Sequence, residues 1–266
     1  MLAAFLAMLL GLAVAPQAAA VPDVTRLTVS SPTIVTEIDP GKLGGDPLRL
    51  AWGTNGTLYL RVAQTDRWGN ERAKHYLVAT HTPPAKVTPT GEEPAWAAVY
   101  WASKSELRAP GDPLFRIEVE SRIETAKSTN TANGGDLAGM SSAALPPTAG
   151  GQGVPQGMVA DAASKSQQVT IVSMKAKGQP LGEWANAHPE PGMRFGWAPS
   201  PMSVLAYVDR DKQLALLDRE GHKLQVPGTM DVLFPAWSPD GKQIAYLQKK
   251  DKKKYSLMIV DVVVGR

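Results

Sequence analysis

The run Phe234-Pro235-Ala236-Trp237-Ser238-Pro239-Asp240-Gly241-Lys242-Gln243-Ile244-Ala245-Tyr246-Leu247 constrains this chain more than any other stretch. Pro239 stands where a tight turn needs φ near −65°, and Gly241 stands where it needs a positive φ. The flanking residues are good strand formers, so the run predicts strand, turn, strand. Lys249-Lys250-Asp251-Lys252-Lys253-Lys254 is too charged to bury and predicts a second hairpin loop before the apolar run Leu257-Met258-Ile259-Val260. Three antiparallel strands fit in this segment.

The same unit recurs upstream. Phe195-Gly196-Trp197-Ala198-Pro199-Ser200-Pro201 leads into Val204-Leu205-Ala206-Tyr207, a polar turn at Asp209-Arg210-Asp211-Lys212, and Leu214-Ala215-Leu216-Leu217-Asp218. Leu50-Ala51-Trp52-Gly53-Thr54-Asn55-Gly56-Thr57-Leu58-Tyr59-Leu60 repeats it with an Asn-Gly turn, and Pro94-Ala95-Trp96 opens a fainter copy. A period of about 40 residues with about four short strands per unit is the pattern of a propeller blade, which buries its faces only against its neighbours.

Trp237-Ser238-Pro239-Asp240-Gly241-Lys242-Gln243-Ile244-Ala245-Tyr246 resembles the W-S-P-D-G-K-x-I-A-[FY] blade repeat of TolB-like, WD40-type β-propellers, also found in the propeller domains of prolyl-oligopeptidase-type peptidases. The resemblance is strong at 234–261, fair at 193–218 and weak over 50–101. It implies an all-β propeller of small antiparallel blades. Members of the family range from periplasmic binding proteins to accessory domains of enzymes, so it speaks to fold more than to activity. TolB-like propellers usually have six blades, whereas this chain has sequence for four or five, in a ring that is either closed or incomplete.

The last unit shows only three strands. If the ring closes, the β-favouring segment from Val24 to Val35 is expected to supply the missing outer strand. Between the units, Thr129 to Gln156 is rich in Gly, Ala, Ser, Thr and Pro and has no aromatic residue, so it cannot bury enough apolar area to offset its ordering entropy. The expected organisation is a signal peptide at 1–20, a first part of the propeller at 21–128, a disordered insertion at 129–160, and a second part at 161–266. Residues 94–187 read either as one blade interrupted by the insertion, making four, or as two degenerate blades, making five.

Leu2 through Val14 is apolar, and Ala18-Ala19-Ala20 before Val21-Pro22-Asp23 has the small-residue pattern of a signal-peptidase site. The segment is also just long enough to span a bilayer, so an uncleaved anchor is the rival to cleavage after Ala20. The 266 residues include no Cys, which removes disulfides and thiolate chemistry. Export without cysteine favours a bacterial periplasm, or secretion, with no stable membrane insertion once the leader is cut. Formal net charge is +3, and the one basic cluster lies in the predicted hairpin loop without interleaved aromatics, so no nucleic-acid partner is expected.

No constellation for chemistry stands out. His75, His81, His188 and His222 lie at no metal-ligand spacing, and Gly139-Met140-Ser141-Ser142-Ala143 lacks the final Gly of a nucleophile elbow. Asp209, Asp211, Asp218 and Asp261 fall at turns and strand ends, the places where a repeat uses carboxylates structurally. The reading is therefore a non-enzyme with no catalytic residues, cofactor or metal. Trp52, Trp96, Trp197 and Trp237 are expected between blades, while Trp68 in its polar turn and Trp101 are the candidate binding residues. The expected function is binding of a protein partner, a component of the cell envelope. The alternatives are a module serving a separately encoded hydrolase, and a small-molecule or glycan binder using Trp68 and Trp101.

Overall fold

The computed structural model describes residues 24–80, 84–104, 106–126, 167–185, 193–251 and 254–264. The leader at 1–20 and the insertion at 129–160 lie outside the described residues.

The described chain forms four antiparallel sheets and two short helices. It begins with a single 3-10 turn, Val24–Arg26, then β1 (Leu27–Val29) and β2 (Thr33–Ile38), followed by α1 (Pro40–Leu43). Asp39 caps α1 by accepting from the Gly41 and Lys42 amides. The first sheet is β3 (Asp46–Trp52), β4 (Thr57–Thr65), β5 (Glu71–Ala79) and β6 (Val87–Thr90) in meander order. After α2 (Ala95–Lys104) comes the second sheet, β7 (Arg108–Ala109), β8 (Asp112–Ala126), β9 (Gln167–Ala176) and β10 (Gln179–Ala185). The third is β11 (Phe195–Trp197), β12 (Val204–Val208), β13 (Leu214–Asp218) and β14 (Lys223–Gln225). In the fourth, β15 (Val232–Trp237), β16 (Gln243–Asp251) and β17 (Lys254–Val264) are joined by the two N-terminal strands.

That N-terminal contribution matches the expectation of an outer strand supplied from the start of the chain, but in two pieces. β2 pairs with the first half of β17, from Tyr255 to Ile259, and β1 with its end, from Val262 to Val264. Val24, Leu27, Val35 and Ile38 are buried by this arrangement. Of the two readings of 94–187, the single interrupted unit is the one observed, since β8 and β9 are direct neighbours over Ile117–Ala126.

The hairpin turns follow their sequence. Gly241 has φ 71° and Gly56 has φ 75°, a region that side-chain-bearing residues rarely adopt. A Cβ on Gly241 would also lie 2.8 Å from the Met202 sulfur. At the turn openings Asp66, Asp209 and Asp218 each accept from the amides two and four residues on, and Asp240 accepts from the amide two residues on. These carboxylates are turn formers, which is why Asp recurs there.

Three buried clusters join the sheets in series. Leu50, Trp52, Leu58 and Leu60 of the first sheet pack on Phe234, Ala245, Leu247 and Leu257 of the fourth. Trp237, Ile244, Tyr246 and Val260 of the fourth pack on Val204, Ala206, Leu214 and Leu216 of the third. Trp197, Leu205 and Leu217 of the third pack on Phe115, Ile117, Val172 and Met174 of the second. Each such side chain contributes about 1.5–3 kcal/mol by leaving water. Because the third sheet is covered on both faces, every residue of β12 and β13 is buried, and both read as unbroken apolar runs. Among the described residues no comparable cluster joins the first sheet to the second.

Two expectations need correction. Trp96 does not open a strand, and Val99-Tyr100-Trp101 is not one, because both lie in α2. The cause is local: Pro94 precedes the helix, its carbonyl accepts from Ala97 and Ala98, and Ala95, Ala97, Ala98 and Ala102 outweigh the aromatic and β-branched residues between them. The basic cluster is not simply a loop either. Lys249, Lys250 and Asp251 continue β16 and Lys254 begins β17, with Lys250 Nζ 2.9 Å from Glu37 on β2. Charge keeps these residues in water without preventing ladder pairing at the end of a hairpin.

Candidate functional site

The repeated tryptophans join neighbouring sheets. Trp52 Nε1 donates to the Ala236 carbonyl at 2.9 Å, Trp237 Nε1 donates to Gly196 at 3.2 Å, and Trp197 Nε1 donates to Glu106. Each ring is buried, and each indole N–H reaches the inner strand of the next sheet or the segment that enters it. A buried indole needs such an acceptor, so the same residue fills space and fixes the spacing of adjacent sheets. The second sheet has no tryptophan at the corresponding place. Leu107-Arg108-Ala109 stands there, with Leu107 41% exposed, and it sends no indole into the first sheet.

α2 lies on the face of the first sheet that this missing contact leaves over. Strand alternation puts Leu50, Trp52, Leu58 and Leu60 toward the fourth sheet, and therefore Arg49, Ala51, Tyr59, Arg61 and His75 on the opposite face. Trp96 meets Tyr59 edge-on with ring centroids 6.3 Å apart. The Arg49 guanidinium lies 4.9 Å above the Trp101 ring, a cation–π contact. Tyr100 is buried, and its hydroxyl donates to the Trp237 carbonyl, which ties α2 to the fourth sheet as well.

The polar groups under α2 are close together and incompletely paired. Tyr59 Oη and His75 Nδ1 are 2.7 Å apart, with the two rings stacked. Burial, reinforced by the Glu93 carboxylate, pushes the Tyr59 phenol up to about 12, so it stays protonated at neutral pH. Arg61 is paired with Glu71. Arg49 Nε and Glu93 Oε1 are buried without hydrogen-bond partners. This set holds its charges by stacking and hydrogen bonding. The Tyr59 hydroxyl is engaged by His75 and is made less acidic by its surroundings.

The two residues predicted for binding are not brought together. Trp101 is half-buried in α2 beneath Arg49, whereas Trp68 is 74% exposed at the tip of the β4–β5 hairpin, where the Arg67 guanidinium lies 4.5 Å from its ring. Arg49, Tyr59, Arg61 and His75 were not singled out as a group by the sequence reading. Their signal was present in β3 and β4, where Leu48, Leu50, Trp52, Leu58, Leu60 and Val62 alternate with positions that include Arg49, Tyr59 and Arg61.

Several exposed apolar side chains belong to the elements that lead from the first sheet into the second. Trp96 and Val99 on α2, Leu107 before β7 and Leu114 at 85% exposure on β8 are four of the ten large exposed hydrophobics among the described residues. Leu114 lies next to the buried Phe115, so it points to the face of the second sheet that is turned away from the third. Elsewhere, a surface cleft of 710 Å³ lies between α1 and the end of β4, with Gly44, Gly45, Gln64 and Glu71 in its wall. His222 Nδ1 is 2.9 Å from Asp218, a carboxylate that also accepts from the Val24 amide and so clips the start of the described chain to the third sheet. His81, His188 and the Gly139–Ala143 stretch lie outside the described residues. Among the described residues no group of three or more His, Asp or Glu is arranged to hold a metal ion, and no helix is long and apolar enough to cross a membrane. Comparison with protein-family models gives no match, and no curated protein compared with the chain matches it.

Proposed function

We propose that this chain is an exported, non-catalytic β-propeller of the TolB-like kind, its four sheets serving as blades, that binds a protein partner of the cell envelope on the flank formed by α2, β7 and β8. The observation that carries this reading is the exposure of Trp96, Val99, Leu107 and Leu114 along the elements that lead from the first sheet into the second, the two successive sheets that share no described core. A contiguous apolar patch rimmed by charge is what a protein interface needs, and an aromatic at its centre supplies most of the binding energy. Arg108 and Arg116 are exposed charges on the same stretch of chain. Support for export comes from the apolar Leu2–Val14 segment and Ala18-Ala19-Ala20.

The test uses Val99→Asp and Leu114→Asp, each at an exposed position where a substitution changes stability by about 0.5 kcal/mol or less. The tagged protein and both variants are incubated with envelope extract after confirming that their melting curves overlay. A stoichiometric partner retained by the parent and lost by both variants is the expected result. A partner retained equally by all three places binding elsewhere and overturns the assignment of this flank. A hydrolase as the retained partner moves the function to an accessory module of an enzyme.

A further inference from the structure

The second sheet has an inner strand far shorter than the strand it should cover. β7 has two residues and pairs with β8 only at Arg108–Arg116 and Ala109–Asp112, with the Ile117 amide donating to Leu107 as the last bond of that edge. β8 runs on to Ala126, and from residue 118 its only ladder partner among the described residues is β9. The Ile117 N–H points to the inner edge, so the residues at intervals of two beyond it, Val119, Ser121 and Ile123, turn their N–H and C=O groups the same way. An edge strand with several unpaired backbone groups is a template for another strand.

We infer that this edge pairs with the same edge of a second copy of the chain, antiparallel, with the two-fold axis at Ser121. The free stretch reads Glu118-Val119-Glu120-Ser121-Arg122-Ile123-Glu124. Antiparallel pairing about an axis normal to the sheet joins residues of equal parity, so the centre falls on a residue. With the centre at Ser121, Glu120 faces Arg122 of the other copy, Arg122 faces its Glu120, and Val119 and Ile123 face each other twice. Ile123, 67% exposed in the single chain, thereby gains a β-branched partner. The outer Glu118 and Glu124 come opposite one another, but each already has a cation of its own, Lys175 and Arg122 respectively. Moving the centre one residue to Arg122 would set Arg122 against Arg122 and Glu120 against Glu124. Moving it to Glu120 would set Glu120 against itself and lose part of the free edge to Leu107. The sequence thus favours one register, and a two-fold contact of this kind closes without leading to a filament.

This pairing is independent of the envelope partner and is read differently. Sedimentation of the parent is expected to give a concentration-dependent dimer. The chain contains no Cys, so Ser121→Cys introduces a single thiol. Residues facing each other in such a ladder have Cα atoms about 5.5 Å apart, within disulfide range, whereas the two copies of residue 123 would be about 14 Å apart. Mild oxidation should therefore cross-link Ser121→Cys into a dimer at least tenfold faster than Ile123→Cys, both variants melting like the parent. A monomer at all concentrations overturns the inference, as does equal cross-linking of the two variants, which would mark random collision. A dimer that fails to cross-link at 121 overturns it too, because its interface lies elsewhere.

Discussion

The second and third sheets have the same number of strands and the same meander order, yet they are built from different sequence. In the third, β12 and β13 are buried at every position, because the second sheet covers one face and the fourth covers the other. In the second, only the residues facing the third are apolar and buried. The other face of β8 and β9 carries Arg116, Glu118, Glu120, Arg122 and Lys175, linked by exposed ion pairs that contribute little to stability. The number of covered faces, more than strand propensity, sets the pattern that a strand's sequence shows. A half-covered sheet at the end of a series also leaves an edge and a face for other uses.

The sharpest way to break this comparison is to remove a large apolar side chain from each side of it. Trp237→Ala deletes a fully buried ring between the fourth and third sheets and orphans the Gly196 carbonyl, so a loss of about 3–5 kcal/mol is expected. Leu107→Ala, at the equivalent junction of the second sheet, should cost about 1 kcal/mol or less. Chemical denaturation of both variants checks the contrast. Equal losses would mean that the second sheet is as tightly joined to its neighbours as the third.

A smaller effect is expected at the point where the N-terminal segment is fastened. Asp218 is 1% exposed and accepts from the amides of Val24, Glu220 and His222 as well as from His222 Nδ1. Asp218→Ala strands these donors, at about 1–3 kcal/mol. Asp261, at the matching place in the fourth sheet, is exposed and takes one side-chain bond, from Gln243, so Asp261→Ala should cost under about 1 kcal/mol. Two residues that match in the repeat then differ because only Asp218 uses its carboxylate to hold the entering chain, whereas Asp261 meets Ser30 through its backbone. A similar loss for both substitutions would show that the turn alone sets their value.

The repeat units were legible because turn chemistry and alternation are local. Ser238-Pro239-Asp240-Gly241 fixes its hairpin whatever packs on it, and the early stop of the last unit was enough to expect strand pairing from Val24 onward. The group of side chains around α2 was less legible, for a physical reason. Trp96, Val99, Tyr100 and Trp101 favour a strand by residue type, and only their setting among alanines after Pro94 makes them a helix. Once they are read as strand, the helix that brings Trp96 to Tyr59 and Trp101 to Arg49 disappears from view. The free edge of β8 was hidden for another reason: whether a strand is paired on one side or two depends on the length of its neighbour.

Lys104 offers the finest probe of the comparison, because a charge held at a loosely packed flank should show in the pH dependence of stability. It ends α2, and burial pushes its ammonium down from 10.5 to about 8, with no neighbouring carboxylate opposing the shift. The unfolded chain keeps this proton up to its ordinary value, so between pH 8 and 10.5 the unfolded state binds more protons than the folded one. The contribution of Lys104 to stability therefore rises with pH across that window, and the penalty is fully present below it. From about pH 9.5 upward the slope reverses, since burial raises Tyr59, Tyr100, Tyr207, Tyr246 and Tyr255, which stay protonated in the folded state while unfolded tyrosines ionise. The parent should accordingly melt at a higher temperature at about pH 9 than at about pH 8. Lys104→Met should remove most of that rise and melt above the parent at pH 7. If the variant keeps the full rise, Lys104 is hydrated, and the end of α2 is as open to water as the tip of a hairpin.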